Sequence, residues 1–175
     1  GLRYIDFIDP VSAPCLKSIN LERNLLTSFG GLVLMTQIEI LCLNENNITC
    51  LFSKIAGVYE NVDNSIYARF ASLYRSNCPL FPKLKVLHLS RNQLSSLQPP
   101  LLHRMPSIQC LFLQHNDISS LRELEDLKQL KELVLDCNKL KELHDVPALC
   151  SLAELHLENN RLRDLFPLSN FKNLL

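Results

Sequence analysis

The chain has 175 residues, 47% of them hydrophobic, with 18 basic and 18 acidic side chains and no formal net charge. That is enough apolar material for one continuous core, and the charge balance argues against nonspecific nucleic-acid binding or attraction to an acidic membrane. With only four glycines, Gly1, Gly30, Gly31 and Gly57, the chain has no glycine-rich dinucleotide fingerprint or P-loop, and no GxSxG elbow occurs. No apolar run approaches the length of a membrane span, and no charged-then-apolar leader opens the sequence.

Residues 1–15 hold one alternating stretch, Leu2, Ile5 and Phe7, followed by Pro10 and Pro14. The spacing predicts a strand that covers the open end of whatever follows. A phrase then begins that returns six times, at 16–29 (LKSINLERNLLTSF), 38–51 (IEILCLNENNITCL), 84–97 (LKVLHLSRNQLSSL), 108–121 (IQCLFLQHNDISSL), 130–143 (LKELVLDCNKLKEL) and 152–165 (LAELHLENNRLRDL). The embedded asparagines, Asn24, Asn46, Asn92, Asn116, Asn138 and Asn160, lie 22, 46, 24, 22 and 22 residues apart. A period near 22 is too short for paired-helix repeats. Within each phrase, x-Leu-x-Leu alternates as a short strand with one buried face should. The asparagine then falls at a turn inside the apolar layer. A buried amide must be hydrogen-bonded, and Asn carries both an acceptor and two donors, so stacked asparagines can satisfy the turn backbones of their neighbours. After the phrase, apolar residues continue at every third position: Leu121, Leu124, Leu127, Leu130; Leu143, Val146, Leu149, Leu152; Leu165, Leu168, Phe171, Leu174. This period suits a 3₁₀ turn packed on one side.

Between Leu51 and Leu84 the rhythm breaks. A hidden repeat would place an asparagine near position 68 or 70, where Ala68 and Phe70 stand. Residues 52–83 are therefore expected to be an insertion in the outer arc. Ile66, Tyr67, Phe70, Leu73 and Tyr74 share one side at helical spacing, which predicts an amphipathic helix over about 64–76. Packing on the convex face as local core is the primary reading of it, with a partner-docking arm as the alternative.

With LxxLxLxxNxL intact six times, the chain resembles the leucine-rich repeat proteins over nearly its whole length. The 22-residue copies are similar to the subclass of the nuclear regulatory subunit of protein phosphatase-1, tubulin-folding cofactor E and the axonemal dynein light chain. The 24-residue copy, with Pro99, Pro100 and Pro106, is closer to the longer typical class. The resemblance implies an open α/β solenoid, 1–175 as a single domain, with parallel strands on its concave face and an intracellular scaffolding role.

In a strand, the residues between buried leucines point the other way, here into the concavity. The central column is Asn20, Cys42, His88, Phe112, Val134 and His156. Beside it run Glu22, Asn44, Ser90, Gln114, Asp136, Glu158, and Arg23, Glu45, Arg91, His115, Cys137, Asn159. Phe112 and Val134 are expected to touch as an exposed apolar anchor rimmed by His88 and His156. The candidate partner-binding residues are thus His88, Arg91, Phe112, Gln114, His115, Val134, Asp136, His156 and Glu158. A solvated strand surface carrying stray apolar residues is the plainer alternative.

Seven cysteines without a CxxC pair are scattered singly among the repeats, which reads as reduced thiols in the cytoplasm, with nucleus or cilium as alternatives. Asn47-Ile48-Thr49 matches a glycosylation sequon, most simply by chance within a repeat. His88 and His156 share a column but stand three rungs, roughly 14 Å, apart, too far to bridge a metal. His115, Cys137 and Asp136 sketch a thiol–imidazole arrangement on an open face without a pocket or oxyanion donors. The start at Gly1 and the end where a seventh phrase would begin suggest a fragment. The expectation is a noncatalytic, cofactor-free, monomeric module binding a protein partner, with no nucleic acid or membrane involved. A phosphatase regulator and an extracellular receptor ectodomain are the alternatives.

Overall fold

The computed structural model describes residues 1–5, 11, 13–50, 78–97, 102–143, 149–164, 173 and 174. Every recurrence of the phrase among them produces a three-residue strand: β1 (Ser18–Asn20), β2 (Ile40–Cys42), β3 (Val86–His88), β4 (Cys110–Phe112), β5 (Glu132–Val134) and β6 (Glu154–His156). The six form one parallel sheet in chain order, β1-β2-β3-β4-β5-β6, without register slip: Ile19, Leu41, Leu87, Leu111, Leu133 and Leu155 pair rung to rung. β2 pairs directly with β3, so the chain between Cys42 and Val86 puts no strand between them. Most of the 52–83 insertion, including the helix expected at 64–76, lies outside the described residues. So do Val146, Leu165, Leu168 and Phe171 of the outer arcs.

One apolar cluster runs the length of the solenoid behind the sheet. Leu41, Leu43, Leu87, Leu89, Leu111, Leu113, Leu133 and Leu135 supply it from the strand side. Leu121, Leu124, Leu127 and Leu130 supply it from the arc, as the third-position spacing predicts. A 3₁₀ turn at Arg122–Leu124 sets that spacing, and others stand at Gly30–Leu32 and Leu102–Arg104. Each fully buried leucine contributes about 1.5 to 3 kcal/mol, realised only when a neighbouring rung covers it. Where the insertion returns, Phe81 stacks obliquely on Phe29 with ring centroids 6.0 Å apart, while Arg104 Nε donates to the Cys78 carbonyl.

The asparagines carry the bends. Asn116 Oδ1 accepts from the Leu94 amide of the preceding rung (3.0 Å), and its Nδ2 donates to the carbonyls of Leu89, Leu113 and Gln114. Asn46, Asn92, Asn138 and Asn160 repeat this pattern against Leu26, Ile48, Ile118 and Leu140. A single side chain thus satisfies backbone groups of two successive rungs, which no other residue type of that size does. The residue before each asparagine is left-handed: Arg23, Glu45, Arg91, His115, Cys137 and Asn159 have φ of 54 to 57°.

The N-terminal segment departs from expectation. Residues 1–5 form no strand beside β1. Instead Leu2 occupies the position that Leu26 takes one rung later: its amide donates to Asn24 Oδ1 (2.8 Å) and its carbonyl accepts from Leu25 (2.7 Å). Asn24 has this acceptor role to fulfil like its successors, and the backbone amide of Leu2 meets it. Leu2 and Tyr4 are consequently left 51% and 74% exposed, while Ile5 packs against the core.

Candidate partner-binding face

Alternation along each strand sends three columns of side chains into the concavity. The register aligns Asn20, Cys42, His88, Phe112, Val134 and His156 as the central column. Ser18, Ile40, Val86, Cys110, Glu132 and Glu154 form the column two residues earlier, also paired rung to rung. The latter column is absent from the candidate residues that the sequence suggests, although the same period of two marks it. Ile40 is its most exposed apolar member, at 43%.

His88 and Phe112 stack face to face, with centroids 4.5 Å apart and planes 6° from parallel. Burial against that ring lowers the His88 pKa below the ordinary imidazole value, opposed by the charges of Glu132 and Glu22. Phe112 is half-buried, whereas Val134 is only 6% exposed and so is not the open anchor its position implies. Val134 is no part of the core cluster. Its cross-strand neighbours in the central column are Phe112 and His156.

Gln114 and Asp136 are partly engaged in holding the rungs together. Ser90 Oγ donates to Gln114 Oε1 (2.5 Å), and the Glu158 amide donates to Asp136 Oδ1 (2.7 Å). Arg91 and His115 are not strand residues: their left-handed backbones place them in the turn, at the rim of the face. His156 and Glu158 are exposed on and just after β6.

Two thiols of this face, Cys42 and Cys110, are held in their neutral form. Burial pushes Cys42 and Cys110 above the usual thiol pKa, and the Glu132 carboxylate pushes Cys110 further the same way. Cys137 Sγ accepts from Asn159 Nδ2 at 3.7 Å. Among the described residues no group of three or more His, Cys, Asp or Glu side chains is arranged to hold a metal ion, and no helix is long and apolar enough to cross a membrane.

Comparisons with known proteins agree with this architecture. The family model described as "Leucine rich repeat" matches residues 80–118, and that described as "Leucine Rich repeats (2 copies)" matches 106–148. The chain is 39% identical over 57 residues to the U2 small nuclear ribonucleoprotein A' of Emericella nidulans, covering 33% of this chain and 25% of that protein. Against human Podocan-like protein 1 it is 29% identical over 127 residues, covering 66% of this chain and 23% of that protein. The chain thus spans about a quarter of the length of these curated relatives. Among solved structures, internalin C2 of Listeria monocytogenes superposes with a TM-score of 0.57 at 26% identity, covering 91% of this chain and 69% of that one. The Leptospira interrogans LRR protein LIC12759 gives 0.56 at 26% identity, covering 91% and 41%. Six registered copies of the phrase, the parallel solenoid they build and these matches together identify the chain as a leucine-rich repeat protein.

Proposed function

We propose that the chain is a noncatalytic interaction module that receives a protein partner on its concave strand face. The contact residues are His88, Phe112, Val134, Asp136, His156 and Glu158, with Arg91, Gln114 and His115 at the rim. The observation that carries this reading is the half-buried His88–Phe112 stack in the central column, held on a continuous sheet in which six strands share one register. Such a surface needs no loop ordering on binding, which removes one of the entropic penalties of association.

The test is capture of partners from a cell extract by the wild-type chain and by Phe112→Asp at equal folded concentration. The proposal expects the captured set to disappear with the substitution; an unchanged set moves the binding surface elsewhere. A cytoplasmic or nuclear setting with reduced cysteines is part of the same proposal. Cys42 and Cys110 lie on β2 and β4 with β3 between them, so their backbones are about 10 Å apart, beyond the reach of a disulfide. An extracellular module is the second reading, favoured by the sequon at Asn47, whose Oδ1 accepts from Gln93 Nε2 while Thr49 stays exposed. Counting reactive thiols after denaturation separates the two: seven free thiols support the first, and disulfides support the second.

A further inference from the structure

The concave face is divided along its length, and the division points to the chemistry of the partner. On β2 to β4 its two strand columns carry Ile40, Val86, Cys110, Cys42, His88 and Phe112, none of them a carboxylate. On β5 and β6 the same columns, continued to the residue after the next leucine, carry Glu132, Asp136, Glu154 and Glu158 around Val134 and His156. Glu132 and Glu154 are direct cross-strand partners, a placement in which like charges repel about 5 Å apart. Asp136 and Glu158 are likewise on neighbouring rungs, with the Glu158 amide bound to the Asp136 carboxylate. Among the described residues none of these four carboxylates is in an ion pair. Lys131, the cation beside Glu132, is exposed on the near side of β5. The chain as a whole has no net charge, so this corner is a local excess and not a reflection of composition.

We infer that the partner is a protein segment that lays an apolar side chain on the Ile40–Phe112 stretch and brings lysine or arginine side chains to the carboxylates of β5 and β6. The inference rests on the concave-face reading above. A divalent cation does not fit, because the described carboxylates do not converge on a metal-binding geometry. A nucleic-acid backbone would be repelled by the same four charges. A cationic segment relieves the cross-strand repulsion and gains the apolar contact at once.

The experiment selects peptides from a displayed library of random dodecapeptides on three baits: the wild-type chain, E132Q/E154Q/E158Q, and Phe112→Asp. The expected result on wild type is enrichment of lysine and arginine together with an aromatic or aliphatic residue. Synthetic copies of the enriched peptides should bind the triple glutamine variant at least about tenfold more weakly in fluorescence anisotropy, and more weakly with rising salt. The triple variant should keep or raise its Tm, because like-charge repulsion is removed; a lowered Tm would mean that these carboxylates serve the fold and would overturn the inference. Peptides that need Phe112 but carry no basic enrichment overturn the charge inference and leave the concave reading standing. Peptides selected equally on wild type and Phe112→Asp overturn both. Failure to select any peptide, or a dimer of this chain that the glutamine variant dissolves, overturns the cationic-segment proposal alone.

Discussion

The two sides of every rung obey different rules. On the inner side of the central rungs each position is specified: leucine at the strand, buried; asparagine at the bend, hydrogen-bonded to the preceding rung; and an apolar residue at every third place along the arc from Leu121 to Leu130. On the concave side the residue type changes at every rung, from Asn20 through Cys42, His88, Phe112 and Val134 to His156, while the backbone beneath stays in register. Stability is therefore concentrated on one side, and the other is free to vary with the partner. The contrast is sharpest where it bends: Val134 faces the concavity yet is almost as buried as the leucines beside it.

The largest effect is expected from Leu133→Ala in the middle of the stack. It leaves a cavity that the rungs on both sides can only partly fill, costing about 2 to 5 kcal/mol in chemical unfolding. Val134→Asp should come next and behave like a core substitution, despite its outward direction. It puts a carboxylate at a site only 6% exposed, between Glu132 and Asp136 in its own rung, at a cost of more than about 2 kcal/mol. Phe112→Asp, one rung away, loses mainly the His88 stack and should cost about 1 kcal/mol. Equal losses at the two positions would erase the distinction between them. Asn138→Ala removes the acceptor of the Ile118 amide and the donor to the Leu113 and Leu135 carbonyls. Leaving such groups buried and unpaired costs about 1 to 3 kcal/mol. In the opposite direction, Arg91→Gly relaxes a left-handed backbone at φ 55° and should raise stability by up to about 1 kcal/mol in thermal unfolding.

The smallest effect is a pH dependence. The folded chain holds His88 at a lowered pKa because burial disfavours its charged form. As pH falls past the ordinary imidazole value the unfolded chain takes up a proton that the folded chain resists. Stability contributed by neutral His88 is thus present above that value, declines as pH drops, and levels off below the lowered folded pKa. His88→Gln should remove this component from the pH profile of the unfolding midpoint, and an unaltered profile would contradict the assignment.

The repeating side was legible in the sequence because its signals are periodic. Leucines two apart and asparagines 22 or 24 apart, with one interval of 46, name the strands, the bends and their pairing before any coordinates exist. The concave side was legible only in direction. Alternation assigns Phe112 and Val134 to that face, but how far Val134 is covered depends on the neighbouring rungs, and its sequence position carries no such information. Arg91 and His115 look like a third strand column by counting, yet the chain turns left-handed just before each asparagine and carries them to the rim. The opening stretch of residues 1–15 reads as a capping strand from Leu2, Ile5 and Phe7; Phe7 lies outside the described residues, and within 1–5 the Leu2 amide instead donates to Asn24 in a bend position.

The most direct test of this division of labour is to measure unfolding free energy and peptide binding side by side for Leu133→Ala and Phe112→Asp, using peptides selected on the wild-type chain. The account predicts that Leu133→Ala loses several-fold more stability but, while folded, binds as the wild type does, and that Phe112→Asp stays folded and does not bind. Binding retained by Phe112→Asp, or a loss of stability there as large as at Leu133, would contradict it.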